Sequence, residues 1–143
     1  MKADVLVIGA GPAGSTAAAA LAAEHDVVLL EEHPRPGSPV QCAGLVTPRG
    51  VPQFAMGSVL GKVKGARVHS PLGYTLSLES RHPRAYVIDR SRFDMTLFER
   101  AVDAAATAVS GAKVAPVCQG GRGVAATVDA GEGRAQGSRS MAI

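Results

Sequence analysis

Two short apolar runs organise the start of the chain. Val5-Leu6-Val7-Ile8 lies between Asp4 and Gly9, and Val27-Val28-Leu29-Leu30 lies between Asp26 and Glu31. The first run predicts a short buried strand leading into the turn, and the second predicts another strand. Between them, Ser15 to Ala23 is mostly alanine, which combines high helix propensity with side chains small enough for close approach to a sheet. The order predicts a βαβ unit.

The pattern then breaks. From His33 to about Gly65 the chain is rich in Pro and Gly and has no sustained period; a loop this long in a compact domain is usually functional. Arg67-Val68-His69 and Tyr74 to Leu78 flank Ser70-Pro71-Leu72-Gly73 and predict a β-hairpin. Ala85 to Ile88 reads as a strand. Asp89 and Ser91 are candidate N-caps for a helix from about Arg92 to Val109, with Phe93, Leu97, Phe98, Ala101, Val102 and Ala105 on one face and Gly111 as its C-terminal stop. Lys113 to Cys118 and Gly123 to Val128 predict two more strands. After about Gly131 the period is lost to Gly, Arg, Ser and Gln. The expected organisation is therefore a partial cofactor-binding domain over 1–130 and an atypical tail over 131–143, with the composition change read as a truncation or frame slip.

The turn after the first strand carries the chemistry. In Gly9-Ala10-Gly11-Pro12-Ala13-Gly14, Gly9 permits the tight turn, Gly11 lets the main chain approach a pyrophosphate, and Gly14 lets helix and strand pack closely. Pro12 suits a first helical turn, where its missing N–H has no intrahelical partner. The amides of that turn, Ala13 among them, and the positive end of the helix dipole favour an anion. Glu31, at the end of the second strand, is placed to accept hydrogen bonds from the adenosine ribose hydroxyls. A carboxylate there repels a 2′-phosphate, which favours FAD or NAD over NADP. Glu32 is the second candidate, since period two turns it to the opposite face. Motif, flanking elements and spacing together predict a dinucleotide site.

Composition narrows the rest. The chain has 143 residues, 46% of them hydrophobic, enough for one domain with a core. Its net charge of +3 is mild and no basic stripe is interleaved with aromatics, so no nucleic-acid footprint is expected. Asp4 and the Gly-Pro-Ala-Gly interruption argue against a signal peptide, and no run approaches a membrane span. The two cysteines read as reduced thiols, with Cys118 a small buried hydrophobe in a strand. No Cys/His grouping has metal-ligand spacing. Asp94 is assigned to support of the helix start, and His25, His33, His69 and His82 show no sequence partners.

Three stretches together, Asp4 to Ser15, Gly37-Ser38-Pro39-Val40-Gln41-Cys42-Ala43-Gly44, and Tyr86-Val87-Ile88-Asp89-Arg90-Ser91-Arg92-Phe93-Asp94, resemble the geranylgeranyl reductases. These are flavoproteins folded like the aromatic hydroxylases, and archaeal members saturate the isoprenoid chains of membrane lipids. The resemblance covers Met1 to about Thr127, the amino-terminal part of such an enzyme. It implies an incomplete α/β, FAD/NAD(P)-binding Rossmann-like three-layer domain with a mostly parallel sheet. Gly9, Gly11, Gly14 and Glu31 match FAD-binding positions. Arg90 matches an arginine approaching the cofactor from a helix start. Cys42, with Ala43 and Gly44, matches a loop facing the flavin, where a thiol tunes the flavin or delivers a proton. The implied partners are a prenyl-lipid substrate, an external electron donor (reduced nicotinamide or ferredoxin) and, peripherally, the membrane, from the cytoplasm. A second reading, an FAD-dependent monooxygenase of the aromatic hydroxylase type, shares the first motif and Arg90 but gives no reason for Pro39 to Gly44. A third is an inactive nucleotide-binding fragment.

Overall fold

A computed structural model describes residues 2–120, 123–130 and 139–142. In chain order the elements are β1 (Val5–Ile8), α1 (Pro12–Leu21), β2 (Val27–Glu31), β3 (Leu45–Val46), β4 (Val59–Val63), β5 (Gly65–His69), β6 (Thr75–Glu79), β7 (Ala85–Ile88), α2 (Arg90–Asp103), β8 (Thr107–Ser110), β9 (Ala112–Gly120), β10 (Gly123–Ala130) and β11 (Arg139–Ala142). Two short 3₁₀ turns, Pro48–Gly50 and Gln53–Ser58, lie between β3 and β4. The chain divides into two compact units, one of residues 1–39 and 94–143, the other of residues 40–93.

In the first unit, β2 pairs in parallel with β1 on one side and β8 on the other. Every residue of β2 is buried, as two-sided cover requires. Its side chains alternate between two clusters. Val27 and Leu29 join Ala18 of α1 and Ala101 of α2, with Val5, Val7 and Phe98 packed alongside. Val28 and Leu30 join Ala112 of β9, with Leu6, Val109, Val114 and Val128. Helices, parallel sheet and the antiparallel meander β9-β10-β11 thus form three layers. The meander's ladder skips one residue at Pro116, where Ala126 faces Val117 and Thr127 faces Ala115; a proline, with no N–H to give, suits a bulge.

The second unit holds an antiparallel sheet in the order β3-β7-β4 and the separate hairpin β5-β6. The hairpin forms where the sequence predicts it. Its turn is closed by the Gly73 amide on the Ser70 carbonyl and by the Tyr74 amide on Ser70 Oγ.

Three expectations are corrected. The helix predicted to Val109 ends at Asp103. Ala105 takes φ 73°, the Ala105 amide bonds the Val102 carbonyl and the Ala106 amide bonds that of Ala101. This is a Schellman stop built on alanine instead of glycine. Residues Thr107–Ser110 then extend as β8 beside β2, because edge pairing partly buries Ala108 and Val109 on opposite faces of the sheet. The long loop contains β3 and β4, which gain regularity from pairing with β7. The sheets are also less parallel than expected: the three β1-β2-β8 strands are parallel, and the other described pairs are antiparallel. Of the tail, residues 131–138 and 143 lie outside the described residues, whereas Arg139–Ala142 pairs antiparallel with β10.

Candidate dinucleotide site

The glycine turn is shaped by backbone constraints on each side. The Gly9 amide continues the β1–β2 ladder, bonding the Leu30 carbonyl at 2.7 Å, and the chain then reverses at φ +93°, open to glycine at no steric cost. Gly14 lies so close behind that a Cβ there would meet the Gly9 carbonyl. Helix α1 therefore starts directly against the strand end.

Gly11 is the N-cap, with no side-chain cap bond, and Pro12 follows at the first helical position. The first-turn amides have no intrahelical acceptor by the geometry of a helix. Beside Gly11 a Cβ would meet nothing within 4 Å, so its missing side chain leaves room at the helix N-terminus. Behind the turn, buried Ser15 donates from Oγ to the Ala10 carbonyl at 2.9 Å. An uncapped helix start with open space at the N-cap fits a phosphate group.

Glu31 ends β2 buried, only 8% exposed. Its Oε2 accepts the Ala10 amide at 2.7 Å. Its Oε1 accepts both the His33 amide at 3.0 Å and His33 Nδ1 at 2.7 Å. Burial pushes the carboxyl's pKa up, but the His33 and Ala10 amides and the His33 ring more than offset it and hold the group below its ordinary value. Glu31 is thus an anion fastened to the turn. Glu32 is exposed.

Cys42, Ala43, Gly44 and Arg90 belong to the second unit. Cys42 is exposed and its Sγ accepts the Gly44 amide at 3.5 Å; Ala43 is exposed beside it. Gly44, at φ +70°, packs so tightly on β7 that a Cβ would meet the Ile88 carbonyl, and its own carbonyl accepts the Ile88 amide at 2.8 Å. The loop is therefore pinned two residues before Arg90, the first residue of α2. Asp89 caps that helix, its Oδ1 accepting the Arg92 amide at 3.1 Å, as the sequence predicts. Asp94 is buried. The side chain of Cys118 lies outside the described residues.

One participant was not legible. His33 has a partner, Glu31, and the only signal for it is an acid and a histidine two apart at a strand end. His69 also has one, bonding Thr75 Oγ1 at 2.9 Å across the hairpin.

An uncapped glycine turn at the sheet's edge, backed by a buried carboxylate and held in a helix–sheet–meander sandwich, defines an α/β dinucleotide-binding domain of the Rossmann-like, FAD/NAD(P)-binding class. Residues 7–56 match the family described as NAD(P)-binding Rossmann-like domain. The chain is 38% identical over 115 residues to digeranylgeranylglycerophospholipid reductase 2 of Methanothermobacter thermautotrophicus, a match covering 74% of this chain and 29% of that protein. Among solved structures, a geranylgeranyl bacteriochlorophyll reductase-like protein of Thermoplasma acidophilum superposes with a TM-score of 0.82 at 27% identity, over 99% of this chain and 36% of that one. An anhydrotetracycline hydroxylase from Streptomyces rimosus superposes with a TM-score of 0.73 at 27% identity, over 99% of this chain and 30% of that one. Over the stretch it shares with them, the chain is similar to the geranylgeranyl reductases. It spans under a third of the length of the digeranylgeranylglycerophospholipid reductases of Methanothermobacter thermautotrophicus and Methanosarcina acetivorans that it matches. Among the described residues, no helix is long and apolar enough to cross a membrane.

Proposed function

We propose that the chain carries the FAD-binding part, residues 1–130, of a reductase that adds two hydrogens across isolated carbon–carbon double bonds of prenyl chains in archaeal-type glycerophospholipids. The observation that carries this reading is the open, uncapped start of α1 at Gly11 with the Glu31 carboxylate fastened behind it. Similarity to the reductases supports the direction of the chemistry.

In this reading the Gly11 to Gly14 amides hold the pyrophosphate. Glu31 Oε2, which accepts one bond from Ala10, has capacity for another from a ribose hydroxyl, and its charge disfavours a 2′-phosphate. Arg90 serves the cofactor from the start of α2. Cys42, on its exposed loop, holds a proton at Sγ for the alkene carbon. The flavin, when bound, supplies the hydride, which no side chain can. The partners in this reading would be a reduced nicotinamide or ferredoxin as electron donor and a prenyl-lipid substrate, which would bring the protein to the membrane surface.

The test is titration of the purified chain with FAD, followed by flavin fluorescence, and then anaerobic incubation of the complex with a reductant and a digeranylgeranyl lipid. Binding and a product heavier by pairs of hydrogens support the reading. Similarity to the hydroxylase keeps a second, less favoured reading, an aromatic-type monooxygenase; oxygen uptake with a hydroxylated product would select it. Absence of any flavin binding would leave an inactive fragment.

A further inference from the structure

Glu31 is held by two different regions of the first unit. One oxygen is on the glycine turn through Ala10, and the other is on His33. His33 is itself fixed, since its carbonyl accepts the Gly111 amide at 3.0 Å, directly after β8. A carboxylate is an acceptor only, so the His33 proton in this pair sits on Nδ1.

We propose that His33 is a positioning residue for nucleotide binding: its Nδ1–H fixes Glu31 Oε1 and so keeps Oε2 on the glycine turn, ready for the ribose of an adenine ribonucleotide. The proposal rests on the dinucleotide-binding reading above. The terminal torsion of a glutamate is broad and roughly two-fold, so a carboxylate with one bond to each oxygen is less firmly aimed than one with a second bond to Oε1. The His33 amide stays on Oε1 whatever the side chain, which means that substitution removes the ring's bond alone. The ring is 40% exposed, so its role is not to fill the core.

The experiment is calorimetric titration of the full chain with ADP. His33→Phe is expected to weaken ADP binding about tenfold, the scale of one charge-assisted hydrogen bond. His33→Asn, whose amide reaches the Nδ1 position, restores binding to within about twofold, while His33→Gln, whose amide sits one bond farther out, does not. In a Glu31→Gln background, His33→Phe has no further effect. Carbon NMR of the Glu31 carboxyl in His33→Phe shows its titration moving up toward the ordinary value. Unchanged ADP affinity in His33→Phe and His33→Gln, or an additive effect in the Glu31→Gln background, overturns the proposal while leaving the nucleotide site intact. A wild-type chain that binds neither ADP nor FAD overturns both. Should His33→Phe not fold, the contrast between His33→Asn and His33→Gln decides alone.

Discussion

Strand β2 and the hairpin β5-β6 both form where the sequence predicts strands and end in opposite situations. All five residues of β2 are buried. All ten residues of β5 and β6 are exposed. The register puts Ala66 opposite Leu78 and Val68 opposite Leu76 on one face, and Arg67 opposite Ser77 and His69 opposite Thr75 on the other. The hairpin thus has one apolar face, 51–57% exposed at Val68, Leu76 and Leu78, whereas β2 has two and buries both. An alternating pattern asks for one covering layer and a continuous one for two. The first unit contains both layers for β2, helices on one side and meander on the other.

That contrast can be broken by substitution. Leu29→Ala empties a site at 0% exposure and should lose about 3–4 kcal/mol in urea unfolding; a loss below about 1 kcal/mol would mean β2 is not the centre of the core. Gly14→Ala drives a Cβ into the Gly9 carbonyl and should cost about 2–3 kcal/mol, together with most of the affinity for ADP by calorimetry, because the turn must open. Leu76→Ser should change stability by less than about 0.5 kcal/mol. A larger loss in equilibrium unfolding would show that the hairpin face is covered after all.

A pH test sharpens the comparison on the β2 side. The Glu31 carboxyl titrates below its ordinary 4.5 in the folded chain, so its stabilising contribution is full above about pH 4.5 and is lost as pH falls through the depressed value. The stability difference between wild type and Glu31→Gln should accordingly shrink as pH drops below 4.5. A difference that stays constant down to strongly acid pH would show that the carboxylate is not held as an anion.

Much of the site was readable because its causes are local. Gly9 and Gly14 are demanded by a turn and a close approach within six residues, and Asp89 caps the helix that begins at the next residue. The end of α2 was not readable, since Ala104 to Val109 continues an apolar helical pattern with no glycine before Gly111; a left-handed Ala105 interrupts it. The pairing of Glu31 with His33 was missed for a related reason. Two residues flanking a strand end face each other only once the chain turns after Glu32, and that turn is anchored by Gly111, far along the sequence.

The sequence by itself determined the βαβ start, the glycine turn, the acid at the end of β2 and the hairpin, because each follows from steric limits or residue periods within a short stretch. Tertiary structure alone decided that Thr107–Ser110 is a strand and that Arg139–Ala142 joins the meander. It also decided that Glu31 bonds the turn with one oxygen and His33 with the other. Those outcomes depend on backbone and side-chain groups far apart in the chain finding hydrogen-bond partners, and no local preference encodes the partner.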